Sequence, residues 1–316
     1  MKAKLNEIVK LDKVGKFGEA IDFGKIDEMA RQEGMTPAEN DHIKVLLVGI
    51  DFQYCFFEGV GSLGVPGSRD DICRTIKWLY WNGHKVTRTM LSADDHTMQQ
   101  IFFPCWWRDR DGNEAAPNTV ITHSDVVSGV WIPNYDRLIP DEKNPGKMIS
   151  YCQEYVRHLE EQGNQELRIW PYHATSQTFD ANIEAQLSAM VYYHARCRQN
   201  DPYIARKGDD PWTEMYSLIK PEWSIDDYVN RPVLNEFCNY DIIVFTGEAA
   251  SHCAGLTVRH TAENFATVPE SVRPRIVVLR DCMSPIPGFE EYTENLYKTL
   301  ESKYGVLVTR STEFML

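Results

Sequence analysis

Six side chains able to do acid–base, nucleophilic or metal chemistry fall at or just past the ends of apolar runs. Asp51 closes the run Val45–Asp51, and Asp94 and His96 follow Val86–Leu91. His173 follows Leu167–Trp170, Lys207 closes Tyr203–Lys207, and Cys253 lies beyond Ile242–Thr246. If each run is a strand of one parallel sheet, all six arrive at the same edge, because ligands of open α/β sheets bind beyond the carboxyl ends of the strands. Singly, each residue has an ordinary structural reading: Asp51 as a turn carboxylate, Lys207 as a solvated strand end, Cys253 as a small buried apolar residue. Their joint arrival at one edge is what points to chemistry.

Cys253 follows Val244-Phe245-Thr246-Gly247-Glu248-Ala249-Ala250-Ser251-His252, a strand, then small residues, then the start of a helix. A thiol at a helix N-terminus lies at the positive end of the dipole, among backbone N–H groups that lack intrahelical acceptors. With the Lys207 ammonium nearby, that setting favours thiolate, and the free N–H groups suit an oxyanion. Asp51 within hydrogen-bond reach takes the thiol proton and returns it to a leaving group. Asp94, His96 and His173 offer one carboxylate and two imidazoles, a set suited to Zn²⁺, Fe²⁺ or Mn²⁺ with positions left open. His123, His194 and His260 carry no such spacing and read as ordinary core or surface residues.

These residues need a frame, and the alternation of apolar runs with longer amphipathic stretches supplies one. Further runs at Ile276–Leu279 and Val306–Thr309, with helices predicted at Ser68–Asn82, Met148–Gln162, Ala181–Asn200, Pro232–Asn239, Ser251–Ala266 and Phe289–Lys303, describe a parallel sheet with helices on both faces. Asn82-Gly83 and Gln162-Gly163 read as helix stops in which glycine takes the left-handed cap. Residues 1–42 form a charged helical extension to a main domain at 43–316. Residues 97–147 are an insert whose aromatics Phe102, Phe103, Trp106 and Trp107 suit a lid or a subunit contact, making homo-oligomerisation an expectation.

The chain has 316 residues, with 33 Lys and Arg against 46 Asp and Glu, a net charge of −13. A protein that tracks a nucleic-acid backbone needs clustered cations, so a nucleic-acid partner is excluded, and no apolar run has the length of a membrane span. The opening MKAKLNEIVKLDKVGKFGEA is interrupted by charge and lacks the apolar stretch of a secretory signal. The eight cysteines form no C-x-x-C pair. Both features read as a cytoplasmic protein with free thiols. Gly59-Val60-Gly61-Ser62-Leu63-Gly64 matches a dinucleotide fingerprint, yet it neither follows its strand directly nor opens a helix, so that reading is set aside.

Four segments in order resemble the isochorismatase-like cysteine hydrolases, and nicotinamidases most. They are Ile50–Phe56 with Gly61–Gly67, the pair Ser92–His96 and Trp170–His173, Arg206-Lys207-Gly208, and Thr246–Cys253. The resemblance spans residues 43–282 and leaves the extension and the insert outside. It implies a three-layer α/β/α fold around a central, mostly parallel six-stranded sheet. It also implies Cys253 as nucleophile, Asp51 as acid/base and Lys207 as the stabilising cation. Asp94, His96 and His173 become ligands of a divalent metal, zinc before iron or manganese, whose other sites hold waters and, in nicotinamidases, the pyridine nitrogen. Phe56 and Trp170 match positions flanking the ring. Glu248–Ala249 aligns with a peptide that is cis in relatives and turns the Ala249 N–H toward an oxyanion shared with that of Cys253.

The chain departs from the pattern at Asp95, where Trp is common, at Ser251, where Asp is common, and in lacking a further histidine soon after His96. The insert begins just past His96 and overhangs the pocket. The implied reaction is metal-dependent hydrolysis of nicotinamide or a similar small carboxamide to acid and ammonia through a Cys253 thioester. The alternatives are a relative acting on an N-carbamoyl compound or a vinyl ether, and a catalytically silent binding or assembly subunit.

Overall fold

A computed structural model describes residues 1–18, 20–138, 144–163 and 165–316, so residues 139–143 of the insert and residue 19 of the extension lie outside the described residues. In chain order the extension carries α1 (Leu5–Ile8) and α2 (Phe23–Glu33), followed by β1 (Val45–Ile50), α3 (Ser68–Asn82) and β2 (Arg88–Asp94). The insert contributes β3 (Trp107–Arg108), β4 (Val120–Ile121), α4 (His123–Ser128) and β5 (Ile132–Pro133). After it come α5 (Pro145–Gln162), β6 (Leu167–Arg168), α6 (Ala185–Arg198), β7 (Tyr203–Lys207), α7 (Arg231–Phe237) and β8 (Ile242–Gly247). The chain closes with α8 (Cys253–Phe265), β9 (Arg275–Leu279), α9 (Glu290–Tyr304) and β10 (Leu307–Thr309). No helix among the described residues is long and apolar enough to cross a membrane.

Six strands form one sheet in the order β10-β9-β8-β1-β2-β7, and every pairing in it is parallel. The central strand β1, Val-Leu-Leu-Val-Gly-Ile, is buried throughout, as a strand covered on both faces must be. Successive side chains point to opposite faces, so Leu46, Val48 and Ile50 enter one apolar layer with α5, α7, α8 and α9, while Val45 and Leu47 enter the other with α3 and α6. The result is the expected three-layer α/β/α architecture.

The chain runs from β1 outward through β2 to β7, then returns to the other side of β1 with β8. The topological switch therefore lies between β1 and β8, where a crevice opens at their carboxyl ends. Asp51 and Cys253 sit on its two sides.

Three local expectations are revised. Leu167–Trp170 is not a strand of the central sheet: only Leu167–Arg168 pair, antiparallel to β4 of the insert. Gly83 ends α3 in right-handed geometry (φ −57°), whereas Gly163 ends α5 at φ 64° as predicted. A side chain at 83 is excluded by close approach instead, since a Cβ there would lie 2.7 Å from the Met1 Cε and 2.8 Å from the Leu79 carbonyl oxygen. The insert aromatics Phe102, Phe103, Trp106 and Trp107 are fully buried and join the α5 and α8 layer, so they offer no apolar surface for self-association.

The extension joins the opposite layer through Ile8, Val9, Val14, Ile26 and Ala30. It is also tied to α6 by polar bonds: the Tyr193 hydroxyl donates to Glu33 at 2.6 Å, and the Lys10 N–H donates to the Gln186 side chain at 2.7 Å.

Candidate active site

Asp51 is the first residue past β1 and takes φ 50°, an unusual conformation for a side-chain-bearing residue. Its N–H donates to the Ser92 hydroxyl oxygen at 3.0 Å, and that hydroxyl donates in turn to Asp51 Oδ1. From β7, on the far side of β2, the Lys207 stem spans the intervening strand. Its Nζ stands 3.0 Å from Asp51 Oδ2, pairs with Asp94 Oδ1, and donates to the Met215 carbonyl at 3.2 Å. Cys253 opens α8, and its sulfur and one oxygen each from Asp51 and Asp94 all lie within 4.8 Å of one another. The structure thus brings sulfur, ammonium and carboxylate together from three distant parts of the chain, all buried.

Burial alone would lower the Lys207 pKa, but Asp51 and Asp94 outweigh it and hold the ammonium well above its ordinary value. For Asp94, burial works upward, yet Lys207 and His96 hold the carboxyl below the ordinary range. Asp51 is raised, by burial and by Asp94, against the pull of Lys207. Cys253 is raised well above the ordinary thiol value by burial, with Lys207 opposing and Asp51 and Asp94 adding. Burial thus works against the expected thiolate, while the Lys207 charge that would favour it is engaged by two carboxylates.

The Glu248–Ala249 peptide is not cis, and no cis peptide occurs among the described residues; Ala249 instead takes φ 57°. Its carbonyl accepts the His252 and Ala254 N–H groups at 2.8 and 3.2 Å, folding the turn so that α8 begins at Cys253. Among the described residues, neither the Ala249 nor the Cys253 N–H is given to a protein acceptor, which leaves both donors for an oxyanion.

Asp94, His96 and His173 form a second buried group, with one ligand atom from each lying within 4.8 Å of the others. His96 Nδ1 faces the Gly208 carbonyl at 2.8 Å and His173 Nδ1 faces the Pro171 carbonyl at 2.7 Å. Each carbonyl takes an N–H and so fixes the tautomer that leaves Nε2 as a lone pair, the second-shell arrangement of metal-binding histidines. Burial, with His96 adding, pushes His173 down to about 3, so its imidazole stays neutral. The Nε2 of His173 and that of His96, which stands 3.5 Å from Asp94 Oδ2, make with this carboxylate a donor set that fits a divalent ion.

Main-chain pairing past the sheet edge brings the two histidines together. The His96 N–H donates to the Ala174 carbonyl at 2.9 Å, and the Ser176 N–H donates to the His96 carbonyl at 2.8 Å. Two insert aromatics, Phe102 and Phe103, pack edge-on against His96, with ring centroids at 5.0 and 5.9 Å.

Gly208 is required here twice over, by its φ of +78° and by a would-be Cβ 2.6 Å from His96 Cε1. Gly208→Ala is expected to cost about 1–3 kcal/mol of stability and to weaken zinc binding about tenfold or more by tilting His96. Urea titration and zinc titration of the variant check both.

Phe56 packs against the His173 ring at 5.6 Å, while Trp170 lies apart from it beside His252 at 5.9 Å. Trp170, with Tyr216, Phe289, Gln165, Glu166, Arg168 and His252, the residue before Cys253, lines a cavity of about 180 Å³; neither Phe56 nor Cys253 is part of that lining. Tyr216 accepts the Trp170 indole N–H at 3.0 Å. Sequence reasoning missed Ser92, Tyr216, His252 and Gln53, whose side chain donates to the Asp94 carbonyl at 2.8 Å and accepts the Asp94 N–H at 2.7 Å. His252 had a signal in its adjacency to Cys253, whereas Ser92 and Gln53 act through contacts that only the fold creates. His123, His194 and His260 belong to neither group.

No protein-family profile and no curated protein matches the chain. Solved structures do. An Acinetobacter baumanii nicotinamidase/pyrazinamidase superposes with a TM-score of 0.56 at 17% identity, covering 87% of this chain and 99% of that one. The yeast nicotinamidase bound to the inhibitor nicotinaldehyde gives 0.56 at 18% identity, covering 84% and 99%. A protein from L. infantum in complex with nicotinate gives 0.52 at 14% identity, covering 88% and 96%. At these identities the likeness is one of architecture, and the chain shares the α/β/α architecture of these nicotinamidase structures.

Proposed function

We propose that the protein is a metal-dependent cysteine amidohydrolase that converts nicotinamide or a similar small carboxamide to the acid and ammonia. The observation that carries this reading is the convergence of Cys253, Asp51 and Lys207 beside two unclaimed backbone N–H groups. In the reading, Asp51 takes the Cys253 proton as sulfur attacks the carbonyl carbon, and the resulting oxyanion is held by the Ala249 and Cys253 N–H groups. Lys207 keeps Asp51 oriented and balances its charge. The intermediate collapses by breaking the C–N bond, and Asp51 returns the proton to the departing nitrogen, which leaves as ammonia and a Cys253 thioester. Water then attacks the thioester while Asp51 takes its proton, the acid is released, and the proton goes back to the sulfur.

A divalent ion, zinc or else iron or manganese, is assigned to Asp94, His96 and His173, where it would supply a Lewis-acid centre for orienting the substrate. Phe56 is assigned to the wall beside those histidines and Trp170 to the wall beside His252. Eight free cysteines support a reducing, cytoplasmic compartment as part of this reading. Homo-oligomerisation stays part of the proposal, without the insert aromatics as its surface.

The test is ammonia release from nicotinamide and from a panel of aromatic and aliphatic amides, run with elemental analysis of the same preparation. About one divalent ion per chain and ammonia that disappears on chelation and returns with added zinc are expected. Ammonia release from none of the amides by the metal-loaded protein would overturn the proposal.

A further inference from the structure

The cavity lined by His252, the residue before Cys253, has two unlike ends. Trp170, Tyr216, His252 and Phe289 make an aromatic wall, with His252 edge-on to Phe289 at 4.7 Å and to Tyr216 at 5.1 Å. The other end is polar, formed by Gln165, Glu166 and Arg168. Arg168 is the only Lys or Arg in the lining.

Its guanidinium is only loosely engaged. One Nη donates to the Asn118 carbonyl at 3.3 Å, and the other stands 3.8 Å from Glu166, whose side chain is 67% exposed. A guanidinium presents five N–H donors in a planar fork, so these long contacts leave donors for a bidentate partner. Its charge also reaches into the cavity: His252 is held neutral first by burial and then by Arg168. The backbone of β6, paired to β4 of the insert, fixes Arg168 at this position.

We propose that this cavity selects carboxamides that carry a carboxylate at the end remote from the scissile bond, with the planar body against the aromatic wall and the carboxylate on Arg168. This deepens the amidohydrolase reading and rests on it for the position of the amide at Cys253. The chain as a whole carries −13, so its long-range field does not draw anions in, and the selection is local to one side chain. Glu166 competes for the same guanidinium and gives way to the substrate carboxylate.

The test is calorimetric binding of two matched probes, benzamide and 3-carbamoylbenzoate, to the full chain carrying Cys253→Ala, so that no turnover is needed. The anionic amide is expected to bind about tenfold tighter, as a charge-assisted pair allows. Arg168→Gln should remove that preference, Arg168→Lys should keep part of it, and Glu166→Gln should enlarge it. Binding of neither probe, equal binding of the two, or a preference that survives Arg168→Gln overturns the proposal. Ammonia release from both probes by the unsubstituted protein is measured in parallel. Its absence alongside an intact, Arg168-dependent preference would sink the hydrolase reading while keeping the anion subsite.

Discussion

Cys253→Ala is expected to abolish amide hydrolysis, lowering turnover by about 10³-fold or more while leaving the fold intact. Among the described residues, the Cys253 sulfur is the one thiol grouped within 4.8 Å of both site carboxylates. Asp51→Asn should cost a comparable factor, because burial disfavours the Cys253 thiolate and a base is needed in place to take the proton. The double variant should be no slower than the worse single one, since residues that act on one proton and one bond are not additive. Single-turnover ammonia release from the three variants, with circular dichroism to check folding, decides this. A Cys253→Ala protein with near-parental turnover would remove the nucleophile from the mechanism.

Lys207→Met is expected to have the largest effect on stability. The ammonium bridges Asp51 and Asp94, and all three side chains are nearly inaccessible to water. Removing one member of a buried ion group leaves the others uncompensated, a loss of about 3–5 kcal/mol, because desolvated charge is far costlier than desolvated methylene. Two carboxylates then face each other without the ammonium between them, which favours proton uptake by one of them. Neutralising a carboxylate should therefore compensate: Lys207→Met with Asp51→Asn should regain part of the lost stability while remaining inactive. Urea unfolding of the single and double variants measures this coupling. Simple additivity of the two losses would show that the three groups are not one electrostatic unit.

Much of the frame was legible in the chain. The six strands of the sheet announce themselves as short apolar runs, and α3 begins at Ser68 and ends at Asn82 as its periodicity and flanking residues indicate. That the polar residues at and after these runs share one edge followed from parallel pairing, whereas the strand order β10-β9-β8-β1-β2-β7 was set by the fold. Leu167–Trp170 misled for a definite reason. Its residues are as apolar as a strand's, but the edge of β2 that it might have occupied is taken by β7 in the register Met90 to Tyr203. The run serves the insert and the α5 layer instead, and His173 reaches the site through the loop pairing of residues 174–176 with His96. The insert aromatics misled similarly: composition says they are apolar, and only packing says which surface they cover.

The residue types and their order fixed which groups exist and which edge of the sheet receives them, since strand polarity and side-chain alternation are properties of the local chain. Only the folded structure decided their chemical state. The Cys253 proton, the Lys207 partners and the histidine tautomers depend on burial and on distances of a few ångströms between segments that lie up to two hundred residues apart. Electrostatic energies vary inversely with distance and dielectric, quantities set by packing and absent from any local pattern.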